Sequence, residues 1–584
     1  MSGSAARTQA VFSTLDVPQG PVPKSKYSFA PRALADLLDH DNQDYRRHVQ
    51  EIFGTVPLFS HALTAQTVAD KGLHGHRDLT LERVRYGAQN QLISVRDYLG
   101  NPLKFQAYLE TACLLEGSFG VKSGVHFTLC GGAIMSLGTP VQHDEWVPRM
   151  DKLELAGCFA MTELSHGSNV LGIETTATFD NSTNEFVINT PHEAAQKIWI
   201  GGGALHAQIT ALFAQLIVNG TNHGVHCFVV PLRDAHYNLL PGVKAADNGL
   251  KLGLNGVDNG RLWFDKVRIP LKNLLARYSQ VEPTTGKYVS SIENPGVRFA
   301  TMLGALIGGR VLITASAAML SQFALLIATR YGFSRTQFPD ETGSEVSIMS
   351  YLSHQRRLFP SIATAVCTRL AAGLLKDVFV SRSPASLKQV HVLAAGLKAY
   401  ATWNKQQFVR ECREACGGQG LAFHNQIGAI MIDSEVDTTF EGDNSVLYQQ
   451  VAKALLGEFR KAAKAGKATL PTAPSKAATP EELTALPHLL ALYAYRTKDL
   501  LMTLVAELQA SLKSGVAHSF SDAWDRNCDL ALQLANAHVE HTILAHAIHT
   551  LQDEKLDKTL PPVLTILARL FALSRIEKDL GYFI

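Results

Sequence analysis

The chain has 584 residues, 46% of them hydrophobic and 18% charged, with 54 Lys and Arg against 52 Asp and Glu and a formal net charge of +2. Such a composition is too apolar for a disordered chain and provides no strong field for nucleic acid or an anionic membrane; at about 150 residues per domain it leaves room for three or four packed units. Its eight cysteines form no CxxC pair and are too sparse for a disulfide framework, as in an intracellular protein that keeps its thiols reduced.

Residues 1–20 lack the basic start and apolar run of a secretory leader, and the final Gly-Tyr-Phe-Ile matches neither an SKL-type nor a KDEL-type address. Apolar residues at three- and four-residue spacing predict helices over 32–38, 42–53, 79–99 and 102–117, a helical N-terminal domain spanning 1–155. Near Leu155 the period changes. Residues 174–179 and 185–189 read as strands joined across the polar turn 180–184, and 206–218 and 225–232 flank Asn219-Gly-Thr-Asn-His-Gly224. This predicts an antiparallel, barrel-like β-domain over 156–290.

Helical periodicity returns at about Pro295, giving a helical-bundle domain over 291–460, and 461–479, rich in Ala, Lys, Pro and Thr, reads as a linker. Thr479-Pro-Glu-Glu482 has the form of a capping box and opens a second C-terminal helical domain, 480–584. The longest uncharged stretch, 311–328, carries Thr314, Ser316, Ser321 and Gln322 and reads as a buried helix, so no membrane span is expected.

The sequence contains no GxxxxGK[ST], GxSxG or HExxH and no strand-associated GxGxxG, which removes most support for nucleotide or serine hydrolysis. Three segments could carry other chemistry. Phe159-Ala-Met-Thr-Glu-Leu-Ser-His-Gly-Ser-Asn169 offers hydroxyl and backbone donors to an anionic or heteroaromatic ligand, or is simply a satisfied turn. Gln196-Lys-Ile-Trp-Ile-Gly-Gly-Gly203 sets a Trp that could stack on a flat cofactor, or pack in a core, beside three glycines. Cys416-Gly-Gly-Gln-Gly420 precedes Thr438-Thr-Phe-Glu-Gly-Asp-Asn444, where Glu441 could lie in an apolar pocket that raises its pKa to that of a working base, or on the surface. His538, Glu540, His541, His546 and His549 share one helix, but without the HExxH order packing is the better reading and no metal is expected.

Taken in order, Thr162-Glu-Leu-Ser-His-Gly167, Glu174-Thr-Thr-Ala-Thr-Phe-Asp180, Lys197-Ile-Trp-Ile-Gly-Gly202, Arg330-Tyr-Gly-Phe-Ser-Arg-Thr-Gln-Phe338, Cys416-Gly-Gly-Gln-Gly420 and Thr439-Phe-Glu-Gly-Asp-Asn444 resemble the acyl-CoA oxidase branch of the acyl-CoA dehydrogenase flavoproteins. The resemblance implies an α+β multidomain fold and an FAD cofactor. Thr162 would contact the flavin ring, with Gly167 and Ser168 near the ring or pyrophosphate and Trp199 and Gly201 flanking the isoalloxazine. Arg335, Gln337 and Phe338 would reach the FAD of a neighbouring subunit, Gly417 and Gly418 its adenosine part, so a homodimer with FAD at the interface is implied. Glu441 matches the catalytic base that removes the α-proton of an acyl-CoA; flavin takes the β-hydride and dioxygen is the final oxidant. The oxyanion hole would be the flavin ribityl hydroxyl and the Glu441 N–H.

Two rivals share these residues: a dehydrogenase that passes electrons to an electron-transferring flavoprotein, and a non-catalytic flavin- or acyl-binding scaffold. Ile200 stands where such oxidases usually carry Pro, and Gly203 where they carry a bulkier residue. Arg310 reads either as a contact to the CoA phosphates or as a buried helix-end residue. The Ala-rich chain and the missing peroxisomal signal point to a bacterial-type cytoplasmic enzyme, with a peroxisomal one as the alternative.

Overall fold

Helices Pro31–Asp39, Gln43–Thr55, His61–Gln89, Pro102–Leu115 and Gly117–Ser123, a π-helical turn Gly124–Gly131 running into Gly132–Leu137, and Pro140–Asp151 build the N-terminal part. The computed structural model describes residues 28–583 except 305, 306, 384, 468, 470, 476 and 477. The leader reading over 1–20, and Ile584 of the carboxyl-terminal one, lie outside the described residues. Phe53, Phe59, Tyr108 and Phe119 interlock at the centre, the Phe53 and Phe59 rings 4.5 Å apart. The helix expected over 79–99 instead ends at Gln89, because Gln91 turns left-handed (φ 56°), and Leu92 and Ile93 enter the core from a loop. Its start at His61 escaped the periodicity because 61–78 is rich in Ala, His and polar residues and kinks at Gly72 (φ 60°).

Strands β1 (Gly157–Ala160), β2 (Thr176–Asp180), β3 (Glu185–Asn189), β4 (Lys197–Gly201), β5 (Ile209–Val218), β6 (Thr221–Pro231), β7 (Val243–Asp247), β8 (Asn259–Phe264) and β9 (Val267–Pro270) follow. One sheet runs β1-β5-β2-β3-β9 with β6 also on β5, and a second runs β4-β8-β7. The β2–β3 and β5–β6 hairpins are antiparallel, as their turns require. The sheet is nevertheless mixed: both β1 and β2 lie parallel to β5. A parallel pair needs a long crossover, here supplied by the polar loop after β1 and by β3 and β4 after β2, so turn chemistry could not reveal it.

Helices Pro295–Leu303, Ile307–Ser334, Leu352–Val380, Leu387–Ala415 and Asn444–Lys464 form a bundle, joined by Leu486–Lys513, Cys528–Leu551 and Pro561–Lys578. One apolar cluster includes Val311, Leu375 and Val451 together with Leu489, Val539 and Phe571, so the segments on either side of 461–479 share a core. The run Pro295–Ser334 and the helix Leu352–Val380 are long and apolar enough to cross a membrane, but 72% and 78% of their most apolar windows are buried within the protein. At Thr479 the hydroxyl accepts the Glu482 N–H at 3.2 Å, while Glu482 reaches Ala478 N at 2.7 Å instead of the Thr479 N–H. Only half of the expected capping box forms, and it caps the short helix Pro480–Leu483.

Candidate active site

Glu441 lies in the loop between the turn Glu435–Thr438 and the helix Asn444–Lys464, in left-handed backbone (φ 57°) ahead of Gly442 (φ 109°). A glutamate there is strained by about 1 kcal/mol or more and persists only if its surroundings hold it. They do. Arg310 Nε donates to the Glu441 carbonyl at 2.9 Å, Lys398 Nζ donates to the Gly442 carbonyl at 2.8 Å and to Asn444 Oδ1 at 3.0 Å, and Asp443 caps the following helix through Ser445 and Val446 N–H. Arg310 is itself aligned by His391 Nδ1 at 3.1 Å, whose Nε2 meets Gln450 Oε1 at 3.0 Å.

The residue as a whole is half-buried, but its Oε2 is enclosed and has no hydrogen-bond partner among the described residues. Burial pushes the carboxyl up to about 7, against the opposing pull of Arg310 and Lys398, whose ammonium burial in turn lowers to about 8. A desolvated, unpartnered carboxylate near neutrality is the state a general base needs. Room for it comes from the helix Ile307–Ser334: a Cβ on Gly309 would stand 2.7 Å from Glu441 Cδ. Among the described residues the Glu441 N–H donates to no partner.

The loop after β1 is built on a buried ion pair. Glu163 meets Lys197 Nζ at 3.0 Å and accepts the Glu174 and Thr175 N–H groups at 2.6 and 2.9 Å, so this loop and the start of β4 are fixed together. The Thr162 carbonyl takes the Ile198 N–H at 3.1 Å, which brings half-buried Thr162 beside exposed Trp199. Gly167 and Ser168 are exposed on the same loop. Trp199 has φ 63° and is 59% exposed, an indole presented outward instead of packed. Gly201 is buried, where a Cβ would come within 2.9 Å of Val125, and Ile200 enters the β-domain core. At Gly203 a side chain would stand 2.9 Å from the Ile200 carbonyl, so this backbone does not accept a bulkier residue.

Arg335, Gln337 and Phe338 lie on or beside the hairpin of Thr336–Pro339 and Glu345–Ser347, a short β-element within the stretch read from the sequence as helical. Phe338 is 71% exposed with φ 56°, and the exposed Arg335 side chain has no partner among the described residues. Gly417 (φ 57°) and Gly418 are exposed in the turn after the helix Leu387–Ala415, with open space where their Cβ atoms would be. Glu540, from the histidine-rich helix, is committed to Arg496 at 2.9 Å.

Family models for the acyl-CoA dehydrogenase middle domain, the acyl-CoA oxidase C-alpha1 domain and acyl-CoA oxidase match 158–267, 303–456 and 485–584. A protein of Arabidopsis thaliana named acyl-coenzyme A oxidase 3, peroxisomal, is 38% identical over 574 residues, covering 95% of this chain and 84% of that one. The chain belongs to the acyl-CoA oxidase family. Acyl-CoA oxidase 1 of Yarrowia lipolytica, a solved structure, superposes with a TM-score of 0.84 at 30% identity, covering 95% of this chain and 83% of that one. Arabidopsis acyl-CoA oxidase 1 gives 0.83 at 27%, covering 95% and 84%.

Motif reading in this oxidase-family chain missed Gly309 and Lys398 and left Arg310 undecided between the CoA phosphates and a buried helix end; the structure puts Arg310 on the Glu441 backbone. A signal existed in the sequence. Gly308-Gly309 opens a long helix, where each glycine costs about 1 kcal/mol relative to Ala, and such a pair marks a close approach.

Proposed function

We propose that the protein is an FAD-dependent acyl-CoA oxidase that converts an acyl-CoA and O2 to a trans-2-enoyl-CoA and hydrogen peroxide in fatty-acid β-oxidation. The observation that carries this reading is the unpartnered Glu441 carboxylate, in a chain whose relatives are named acyl-CoA oxidases. Glu441 takes the α-proton of the thioester, and Arg310 and Lys398 fix its loop so that Oε2 is poised before substrate arrives. The free Glu441 N–H stabilises the charge that develops on the thioester oxygen.

The residues present fit a flavin: an outward-facing Trp199 is locked by its backbone, and Thr162 is tied to the same strand. Thr162, Gly167, Ser168, Trp199 and Gly201 of one subunit would hold it, with Arg335, Gln337, Phe338, Gly417 and Gly418 of a second. Exposure of all of these second-set residues except the half-buried Gln337 supports a homodimer. When bound, FAD supplies the acceptor for the β-hydride and the path to O2. The names of the plant and human relatives support a peroxisomal enzyme over the bacterial-type cytoplasmic one expected from the sequence.

The test is to mix the yellow protein anaerobically with octanoyl-CoA, record flavin bleaching, then admit oxygen and assay peroxide. Bleaching followed by rapid peroxide formation is expected. Bleaching that persists in air would indicate a dehydrogenase, and no bleaching with any acyl thioester would leave a non-catalytic scaffold.

A further inference from the structure

Five helices, Leu387–Ala415, Asn444–Lys464, Leu486–Lys513, Cys528–Leu551 and Pro561–Lys578, converge on a cavity of about 480 Å³. None of its lining residues is among those assigned to the base or the flavin. Trp403 and Tyr448, edge-on with ring centroids 5.0 Å apart, form part of its wall. Most of the remaining lining is polar or charged, and the charges do not balance.

Arg496 divides its two terminal nitrogens between Glu540, at 2.9 Å, and Asp579, which occupies both carboxylates of the cavity. Arg575 and Lys578 are left without an ion-pair partner among the described residues. Buried Arg575 donates through Nη2 to the Thr364 hydroxyl at 2.7 Å, and Lys578 Nζ, at the rim, donates to Gln407 Oε1 at 3.2 Å. The Arg575 Nε is enclosed and has no partner among the described residues. The same is true of the Oη of buried Tyr400, whose ring centroid lies 5.9 Å from the Arg575 guanidinium carbon. Burial and the Arg575 charge lower the Lys578 ammonium to about 8, so the two cations repel each other at close range. Desolvated cations with unused donors are costly unless a counter-charge meets them.

We propose that this cavity is a binding site for a small oxyanion, a carboxylate or a phosphate, held by Arg575, Lys578 and the Tyr400 hydroxyl. Such a group supplies what these three lack: acceptor oxygens for a guanidinium fork and a phenol, and negative charge opposite two unpaired cations. The cavity has room for a molecule the size of citrate. The proposal stands apart from the oxidase reading of Glu441, since it uses none of the same side chains.

The experiment is isothermal titration calorimetry of the FAD-loaded full chain with inorganic phosphate and with citrate, at an ionic strength held constant with sodium chloride. The wild type binds at least one of them at one site per chain with a Kd of about 1 mM or below. Binding of citrate alone makes the ligand a carboxylate, and binding of phosphate alone makes it a phosphate. Arg575→Gln and Lys578→Gln weaken that binding at least about tenfold, and Tyr400→Phe weakens it about threefold or more. Should Arg575→Gln fail to fold, Lys578→Gln and Tyr400→Phe carry the comparison, because one changes a rim residue and the other removes only a hydroxyl. No binding of either anion up to about 20 mM, or binding that the folded variants leave unchanged, overturns the proposal.

Discussion

Replacing Glu441 by Gln should abolish turnover and yet make the protein more stable in alkaline solution relative to the wild type. The carboxyl moves from its ordinary 4.5 to about 7 because Oε2 is enclosed and unpartnered. Its folded pKa is raised, so between about pH 4.5 and pH 7 the native protein keeps a proton that the unfolded chain has released, and stability falls as pH rises through that window. At about 1.4 kcal/mol per pH unit the cost above pH 7 reaches about 3 kcal/mol; roughly 2–3 kcal/mol of it accrues between pH 5 and pH 8.5. Glutamine has nearly the same shape and no titration. Urea unfolding of both proteins at pH 5 and pH 8.5 should therefore show the difference in unfolding free energy shifting by about 2–3 kcal/mol in favour of Glu441→Gln at the higher pH. The wild-type kcat/KM should also fall about tenfold per unit as pH drops below about 7. A stability difference that does not change with pH would refute the picture of a desolvated base, whatever the variant does to catalysis.

Gly309→Ala is expected to reverse the usual helix rule. Alanine should gain about 1 kcal/mol in a helix, but here its Cβ lands 2.7 Å from Glu441 Cδ, so steady-state kinetics should show at least about a tenfold loss of kcat with little change in melting temperature. Lys197→Ala leaves Glu163 as an unpaired buried carboxylate and should cost about 3–5 kcal/mol, read by thermal unfolding; an effect below about 1 kcal/mol would mean that the loop does not depend on the pair. Arg335→Ala removes an exposed cation with no partner among the described residues. Absorbance and size-exclusion chromatography should therefore report lower flavin occupancy with unchanged folding; full occupancy would count against the shared-cofactor dimer.

Local chemistry was legible in the sequence. Thr479 and Pro480 start a helix, the turn after Asp180 makes a hairpin, and the short motifs around Thr162, Trp199, Gly417 and Glu441 carried the family resemblance, because caps, turns and motifs involve residues close in the chain. What the sequence could not decide was which distant groups meet. The parallel pairing of β1 and β2 with β5, the premature end of the helix at Gln89, and the core shared across 461–479 depend on long-range packing that has no local signature. The same holds at the site. The sequence supplied a glutamate whose burial was undecided, and the fold supplied the enclosure that raises its pKa. Gly309 and Arg310 from one helix and Lys398 from another enclose it and hold its loop, and a pKa is set by that surrounding rather than by the residue type.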